Sequence, residues 1–150
     1  MDLKTEEWRD IPGFEGYYQA SNCGKIRSID RYVPHNCGVG LRLIRGRILK
    51  QQVMTQTQYY SVMLSKDGKA KSHTVHSLIA LTFLQKRNET DIIDHIDGNR
   101  QNNIFTNLRY VSHKENANNP ATKQNMHMWE KGHMPWNKGL KYKRKRQTRL

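Results

Sequence analysis

Asp91-Ile92-Ile93-Asp94-His95-Ile96-Asp97-Gly98-Asn99, followed after an asparagine-rich connection by Leu108-Arg109-Tyr110-Val111-Ser112-His113-Lys114-Glu115-Asn116, decides the fold. The stretch 91–96 reads as a brief strand that enters a Gly and Asx loop, where short amide side chains hold irregular backbone by local hydrogen bonds. Asn99, Asn102, Asn103 and Asn107 crowd that loop. Residues 108–111 read as a second strand, and Ser112-His113-Lys114-Glu115 is a capping box that starts a helix carrying Asn116. The order is strand, long loop, strand, helix.

Working toward the N-terminus, residues 59–66 and 69–75 flank Asp67-Gly68, a dipeptide suited to a two-residue turn in which both central positions have left-handed backbone. In that register Tyr60, Val62 and Leu64 share a face with Val75, His73 and Lys71, which puts His73 at the core edge or on a nucleic-acid-facing surface rather than among metal ligands. The block Leu78-Ile79-Ala80-Leu81, with Phe83 and Leu84, reads as a short buried helix with His76 and Ser77 at its start. There His76 orders the helix start or packs beneath the next element. Farther upstream, residues 16–29 place strand formers on either side of Asn22-Cys23-Gly24 and read as another hairpin.

The chain has 150 residues, 26 Lys plus Arg against 13 Asp plus Glu, and a formal net charge of +13. The length suits one domain or two small modules. The apolar fraction of 35% is below the roughly 45–50% of ordinary globular chains, so much of the backbone stays wet. No apolar run approaches the ~20 residues of a membrane span, and the first residues lack a signal peptide's apolar stretch. The expectation is a soluble, cytoplasmic protein with no membrane partner. Cys23 and Cys37 are too few for a disulfide framework or a four-cysteine zinc site.

Residues 120–150 hold nine Lys or Arg and one acid, Glu130. Lys138, Lys141, Lys143, Arg144, Lys145 and Arg146 lie in this stretch, and its last part, residues 141–149, has no apolar periodicity and repels itself, so it is expected to be disordered when free and drawn to a polyanion. Nucleic acid fits best, because each neutralised phosphate releases condensed counterions. A second basic zone, residues 31–50, carries Arg31, Arg42, Arg45, Arg47 and Lys50 with no acid.

Hydrolysis of a phosphodiester requires activated water, a cation at the phosphate and polar ligands to hold that cation. Asp94 offers a carboxylate, Asn116 an amide oxygen, and His95 an imidazole suited to proton transfer near neutrality. Two oxygen donors plus waters suit magnesium better than zinc. Neighbours in a regular strand face opposite ways, so Asp94 and His95 serve one site only if the strand ends or bends there. The same stretch also reads as a polar turn. An EF-hand calcium loop fails on detail, because its twelfth position, which requires glutamate, would be Phe105.

Val75-His76-Ser77-Leu78-Ile79-Ala80, Asp94-His95-Ile96-Asp97-Gly98-Asn99, Asn102-Asn103, Asn107-Leu108-Arg109-Tyr110-Val111 and Asn116 together resemble the HNH endonucleases of phage and intron homing type. Residues 7–22, beginning Glu7-Trp8-Arg9-Asp10-Ile11-Pro12-Gly13, are similar to a nuclease-associated modular motif that often precedes that core. The stretch 132–141 carries a weaker similarity to another small motif attached to phage nucleases.

The resemblance implies an α+β protein: N-terminal antiparallel β-hairpins, a ββα-metal HNH core and a basic, extended C-terminal tail. The corresponding divisions are residues 1–55, 56–119 and 120–150. It also implies that Asp94 and Asn116 hold one divalent cation, Mg2+ or Mn2+ and not zinc, with no small-molecule cofactor. His113 is the alternative to Asn116. His95 would be the general base, and Asn107 a structural residue that stabilises the loop. The implied substrate is double-stranded DNA, nicked one strand per HNH core to leave a 5′ phosphate and a 3′ hydroxyl; a second copy or a phage protein would be needed for a double-strand break. Arg27, Arg42, Arg45 and Arg47, with the tail residues, are the DNA-binding candidates. Two rival readings use the same charge: a catalytically inactive, sequence-specific DNA-binding protein, and an RNA-binding protein like a small ribosomal component.

Overall fold

The computed structural model describes residues 5–35, 38–86 and 88–120. The tail candidates Lys138, Lys141, Lys143, Arg144, Lys145 and Arg146 therefore lie outside the described residues. The architecture is α+β. In chain order the elements are β1 (Trp8–Asp10), β2 (Tyr18–Ser21), β3 (Ile26–Ser28), β4 (Arg31–Pro34), β5 (Leu41–Ile44), β6 (Gln52–Val53), β7 (Tyr60–Lys66), β8 (Lys69–Thr74), α1 (Val75–Phe83), β9 (Ile92–His95), a 3-10 turn (Phe105–Asn107), β10 (Leu108–Val111) and α2 (His113–Ala117). Every strand pairing is antiparallel, in sheets ordered β1-β2-β3, β4-β5, β6-β7-β8 and β10-β9.

Turn chemistry sets the hairpins. Asp67 and Gly68 join β7 to β8 with φ of 51° and 74°, the left-handed pair that a two-residue turn needs. The resulting register puts Val62 opposite His73 and Leu64 opposite Lys71. Val62 and Leu64 are buried, and the His73 ring meets Phe14 edge-on at 5.4 Å between centroids. The basic zone around Arg42 is itself folded: β4 and β5 pair, leaving Tyr32, Leu41 and Leu43 exposed.

One apolar cluster joins the N-terminal sheet to the rest. Ile11, Tyr18, Ala20 and Ile26 pack with Val62, Leu64, Val75, Leu78, Ile79 and Leu108. Burying a side chain such as Ile79 contributes roughly 1.5–3 kcal/mol relative to leaving it exposed. The Tyr18 hydroxyl reinforces this junction, donating to the Ser65 carbonyl (3.1 Å) and accepting from the Ser65 N–H (2.9 Å). Helix α1 starts at Val75, because β8 runs only to Thr74, the extended N-cap residue. Val75, expected as the last residue of the strand 69–75, thus opens the helix instead, and His76 lies in its first turn as expected. Among the described residues no helix is long and apolar enough to cross a membrane.

Candidate active site

Strand β9 ends at His95, where the backbone leaves the ladder. The Gly98 N–H donates to the His95 carbonyl (2.9 Å), with Gly98 at φ 70°. Asp94 and His95 both line a pocket of about 220 Å³, as do their strand neighbours Ile92 and Ile93, together with Asn116, Tyr59, Arg100 and Gly98.

The connection between the strands is held by side-chain amides. Asn107 accepts from the Asp97 N–H (3.1 Å) and donates to the Asp97 carboxylate (2.8 Å) and the Asn102 carbonyl (2.9 Å), tying the two ends of the loop together. Partial burial pushes the Asp97 carboxyl upward, but hydrogen bonds from Asn102, Asn107 and the Asn99 N–H, with the nearby His95, leave it below its ordinary value.

Asp94 and His95 are each 5% exposed. The Asp94 Oδ2 accepts from Arg109 Nε (2.9 Å) and Nη2 (2.8 Å), across the β9–β10 pair in which these two residues are register partners. Asn119 Nδ2 donates to both Asp94 oxygens. His95 Nε2 lies 3.1 Å from Asn103 Oδ1. An amide oxygen only accepts, so in the neutral ring Nε2 carries the proton and Nδ1 keeps the lone pair a base requires.

Asn116, on α2, is half-buried, and its carboxamide has no hydrogen-bond partner among the described residues. The helix start beneath it is fixed by the capping box, in which the Ser112 hydroxyl accepts from the Glu115 N–H (3.2 Å) and the Glu115 carboxylate from the Ser112 N–H (2.8 Å). His113 is exposed on the same helix and does not line the pocket.

Behind His95 stands a cluster of rings. His76 lies 5.3 Å from His95 and 4.5 Å from Tyr59 between centroids, and Tyr59 stacks on His95 at 5.8 Å and 23°. Burial, with a smaller repulsion from His95, pushes the His76 imidazole down to about 4, so it is neutral at physiological pH. Its Nδ1 is buried without a hydrogen-bond partner among the described residues.

The arginine candidates lie elsewhere. Arg27 is held by the Gln19 side chain (2.9 and 2.6 Å) and sits 4.3 Å over the Trp8 ring. Arg42, Arg45 and Arg47 are exposed, and Arg27 and Arg47 line a cleft of about 410 Å³ with Asp30.

Residues 6–65 match the NUMOD4 motif, and residues 74–118 match the HNH endonuclease model. The chain belongs to the HNH endonuclease family. A NUMOD4 motif precedes its HNH core, and the two matches leave only residues 66–73 between them. The chain is 38% identical over 117 residues to the DNA endonuclease I-HmuI of Bacillus phage SP01, covering 78% of this chain and 59% of that protein. An uncharacterized HNH endonuclease of Acanthamoeba polyphaga mimivirus is 32% identical over 116 residues, covering 77% of this chain and 30% of that protein. A solved structure of DNA binding and cleavage by the HNH homing endonuclease I-HmuI superposes with a TM-score of 0.62 at 38% identity, covering 79% of this chain and 59% of the other. The chain thus spans less than two thirds of the relatives it matches.

Asp94, His95, Asn107 and Asn116 are the site residues legible in the sequence, whereas Asn119, Arg109, Tyr59 and Arg100 carry no role there. Asn103 was counted only among the loop amides. Arg109 carried a usable signal, since cross-strand pairing with Asp94 follows from the hairpin register. Asn119 carried none, because its contact depends on how the end of α2 packs.

Proposed function

We propose that this chain is a metal-dependent DNA endonuclease of homing type, with Asp94 and Asn116 as ligands of one divalent cation and His95 as general base. The observation that carries this reading is the shared pocket: Asp94 and His95, neighbours at the broken end of β9, line it with Asn116. The donors on offer are a carboxylate oxygen and an unpartnered amide oxygen, a hard set that suits Mg2+ or Mn2+. Among the described residues no group of three or more His, Cys, Asp or Glu side chains is arranged to hold a metal. Bound at such a site, a divalent cation supplies charge neutralisation at the phosphate and stabilisation of the departing 3′ oxygen.

The chain's own residues do the rest. His95, with Nε2–H directed to Asn103, takes a proton from water at Nδ1 as the water oxygen attacks phosphorus. The P–O3′ bond breaks, leaving a 5′ phosphate and a 3′ hydroxyl. One core carries one such site, so each event nicks one strand. Residues 1–55 and the basic tail 120–150 would grip DNA around the cut, chiefly through phosphates that fix position without reading sequence.

Supercoiled plasmid incubated with the protein and Mg2+ should be converted to open circles, and EDTA should stop the reaction. His95→Ala should abolish nicking while gel-shift affinity for the same DNA stays within about twofold. Persistent nicking by His95→Ala would defeat the assignment. The reading as an inactive DNA-binding protein draws on one observation, that Arg109 and Asn119 already occupy the Asp94 carboxylate. Binding without any Mg2+- or Mn2+-dependent nicking would favour it.

A further inference from the structure

We infer that the NUMOD4-matching segment is a positioning part of the catalytic site, fixing the His95 ring through Tyr59 and through the Asn22–Gly24 turn. This rests on the nuclease reading above and names a role for the N-terminal unit other than gripping DNA. Both contacts come from residues 6–65, outside the segment that matches the HNH model.

The first contact is the Tyr59 ring. It stacks on His95, leans on His76 and lines the pocket with Asp94 and Asn116. It is held from several sides: the Tyr59 carbonyl accepts from the Met54 N–H (2.9 Å), and the Arg100 guanidinium sits 5.3 Å from its centroid while donating to the Thr57 carbonyl (3.0 Å). A ring so confined limits rotation of the imidazole stacked on it.

The second contact runs through the loop. The Phe105 N–H donates to the Asn22 carbonyl (3.1 Å), fastening the asparagine loop to the β2–β3 turn. Gly24, at φ 84°, lies so close that a Cβ there would stand 3.0 Å from the Asn103 carbonyl oxygen and 3.3 Å from the Asn103 Cβ. Asn103 is the residue whose side chain accepts from His95 Nε2. The turn therefore sets where Asn103 sits, and Asn103 sets which nitrogen of His95 holds the proton. Catalytic groups displaced by about 1 Å can lose on the order of a hundredfold in rate, so a support of this kind has kinetic weight.

The test uses the full chain with Tyr59→Ala, Tyr59→Phe and Gly24→Ala. Single-turnover nicking, DNA affinity, thermal unfolding and the ring 15N signals of His95 are measured for each. Tyr59→Ala should slow nicking about tenfold or more with affinity kept within about twofold, and Tyr59→Phe, which keeps the ring, should recover most of the rate. The His95 signals of the unaltered chain should report one Nε2–H form, and Gly24→Ala should add a second tautomer to them. Wild-type rates in a folded Tyr59→Ala, or losses that only track lost affinity, would overturn the inference. Should the unaltered chain not cleave DNA, the nuclease reading falls, and the positioning claim is still decided by the His95 signals: an unchanged single tautomer and line width in Gly24→Ala and Tyr59→Ala would refute it. Failure of Gly24→Ala to fold leaves the decision to the two Tyr59 variants.

Discussion

Asn119 donates from one carboxamide nitrogen to both carboxylate oxygens of Asp94, 3.0 Å to each, and is itself 4% exposed. A buried carboxylate is tolerated only when charge and hydrogen bonds satisfy it, and here Arg109 supplies the first and Asn119 shares in the second. The same amide reaches the His95 carbonyl at 3.4 Å. The chain just beyond α2 is thus tied to the end of β9, and the orientation of Asp94 depends on it.

Asn119→Ala should therefore act on both stability and metal affinity. Leaving a buried acceptor unsatisfied costs roughly 1–3 kcal/mol, readable as a lower urea midpoint. Removing a partner that orients a metal ligand typically weakens binding about 10–100-fold, and titration calorimetry with Mn2+ would measure it. Equal Mn2+ affinity in the variant would mean that Asp94 does not need Asn119 to be oriented, or is not a ligand.

The elements around the site were legible because each is announced locally. Asp67-Gly68 dictates a turn, Ser112 and Glu115 dictate a helix start, and the β-branched and aromatic residues of 92–95 and 108–111 mark two short strands bounding an amide-rich loop. What escaped was tertiary. Asn116 lies on α2 and Asn119 just beyond its end, three residues on, and nothing local says that the second binds Asp94 while the first faces the pocket. Tyr59 reaches His95 only after β7, β8 and α1 have folded between them. The zone around Arg42 read as charge alone, although Gly38 and Gly40, both at positive φ, carry the turn signal that pairs β4 with β5.

Core packing gives a prediction independent of catalysis. Ile79 is fully buried in the cluster joining the N-terminal sheet to α1, so Ile79→Ala should destabilise by about 2–5 kcal/mol. Because the cluster spans both matched segments, unfolding followed by Trp fluorescence and by far-UV dichroism should stay coincident. Separate transitions would show that the two segments unfold independently.

Deleting residues 141–150 removes Lys141, Lys143, Arg144, Lys145, Arg146 and Arg149. Each base that neutralises a phosphate adds about 0.9 to the slope of log affinity against log salt, so the truncated chain should bind DNA more weakly with a shallower slope. Fluorescence anisotropy across a salt series would measure both quantities. An unchanged slope would remove the tail from the DNA interface.

Stability should fall with acidification in a window set by His76. Its imidazole is held to about 4 in the folded chain, chiefly by burial and then by repulsion from His95, against an ordinary value of 6.5. Between those values the unfolded chain binds a proton that the folded chain refuses, so the unfolding free energy rises with pH. The contribution is complete above about pH 6.5 and is lost as pH drops to about 4, amounting to roughly 2–4 kcal/mol. His73, also lowered by burial and by Lys71, adds in the same direction, whereas the lowered carboxyls of Asp97 and Glu15 act mainly below that window. Urea unfolding at pH 7, 5.5 and 4.5 should show the decline in the unaltered chain. His76→Phe keeps a ring against Tyr59 and His95 but takes up no proton, so the decline should be much shallower in that variant. Parallel declines in the two proteins would assign the pH dependence to other groups.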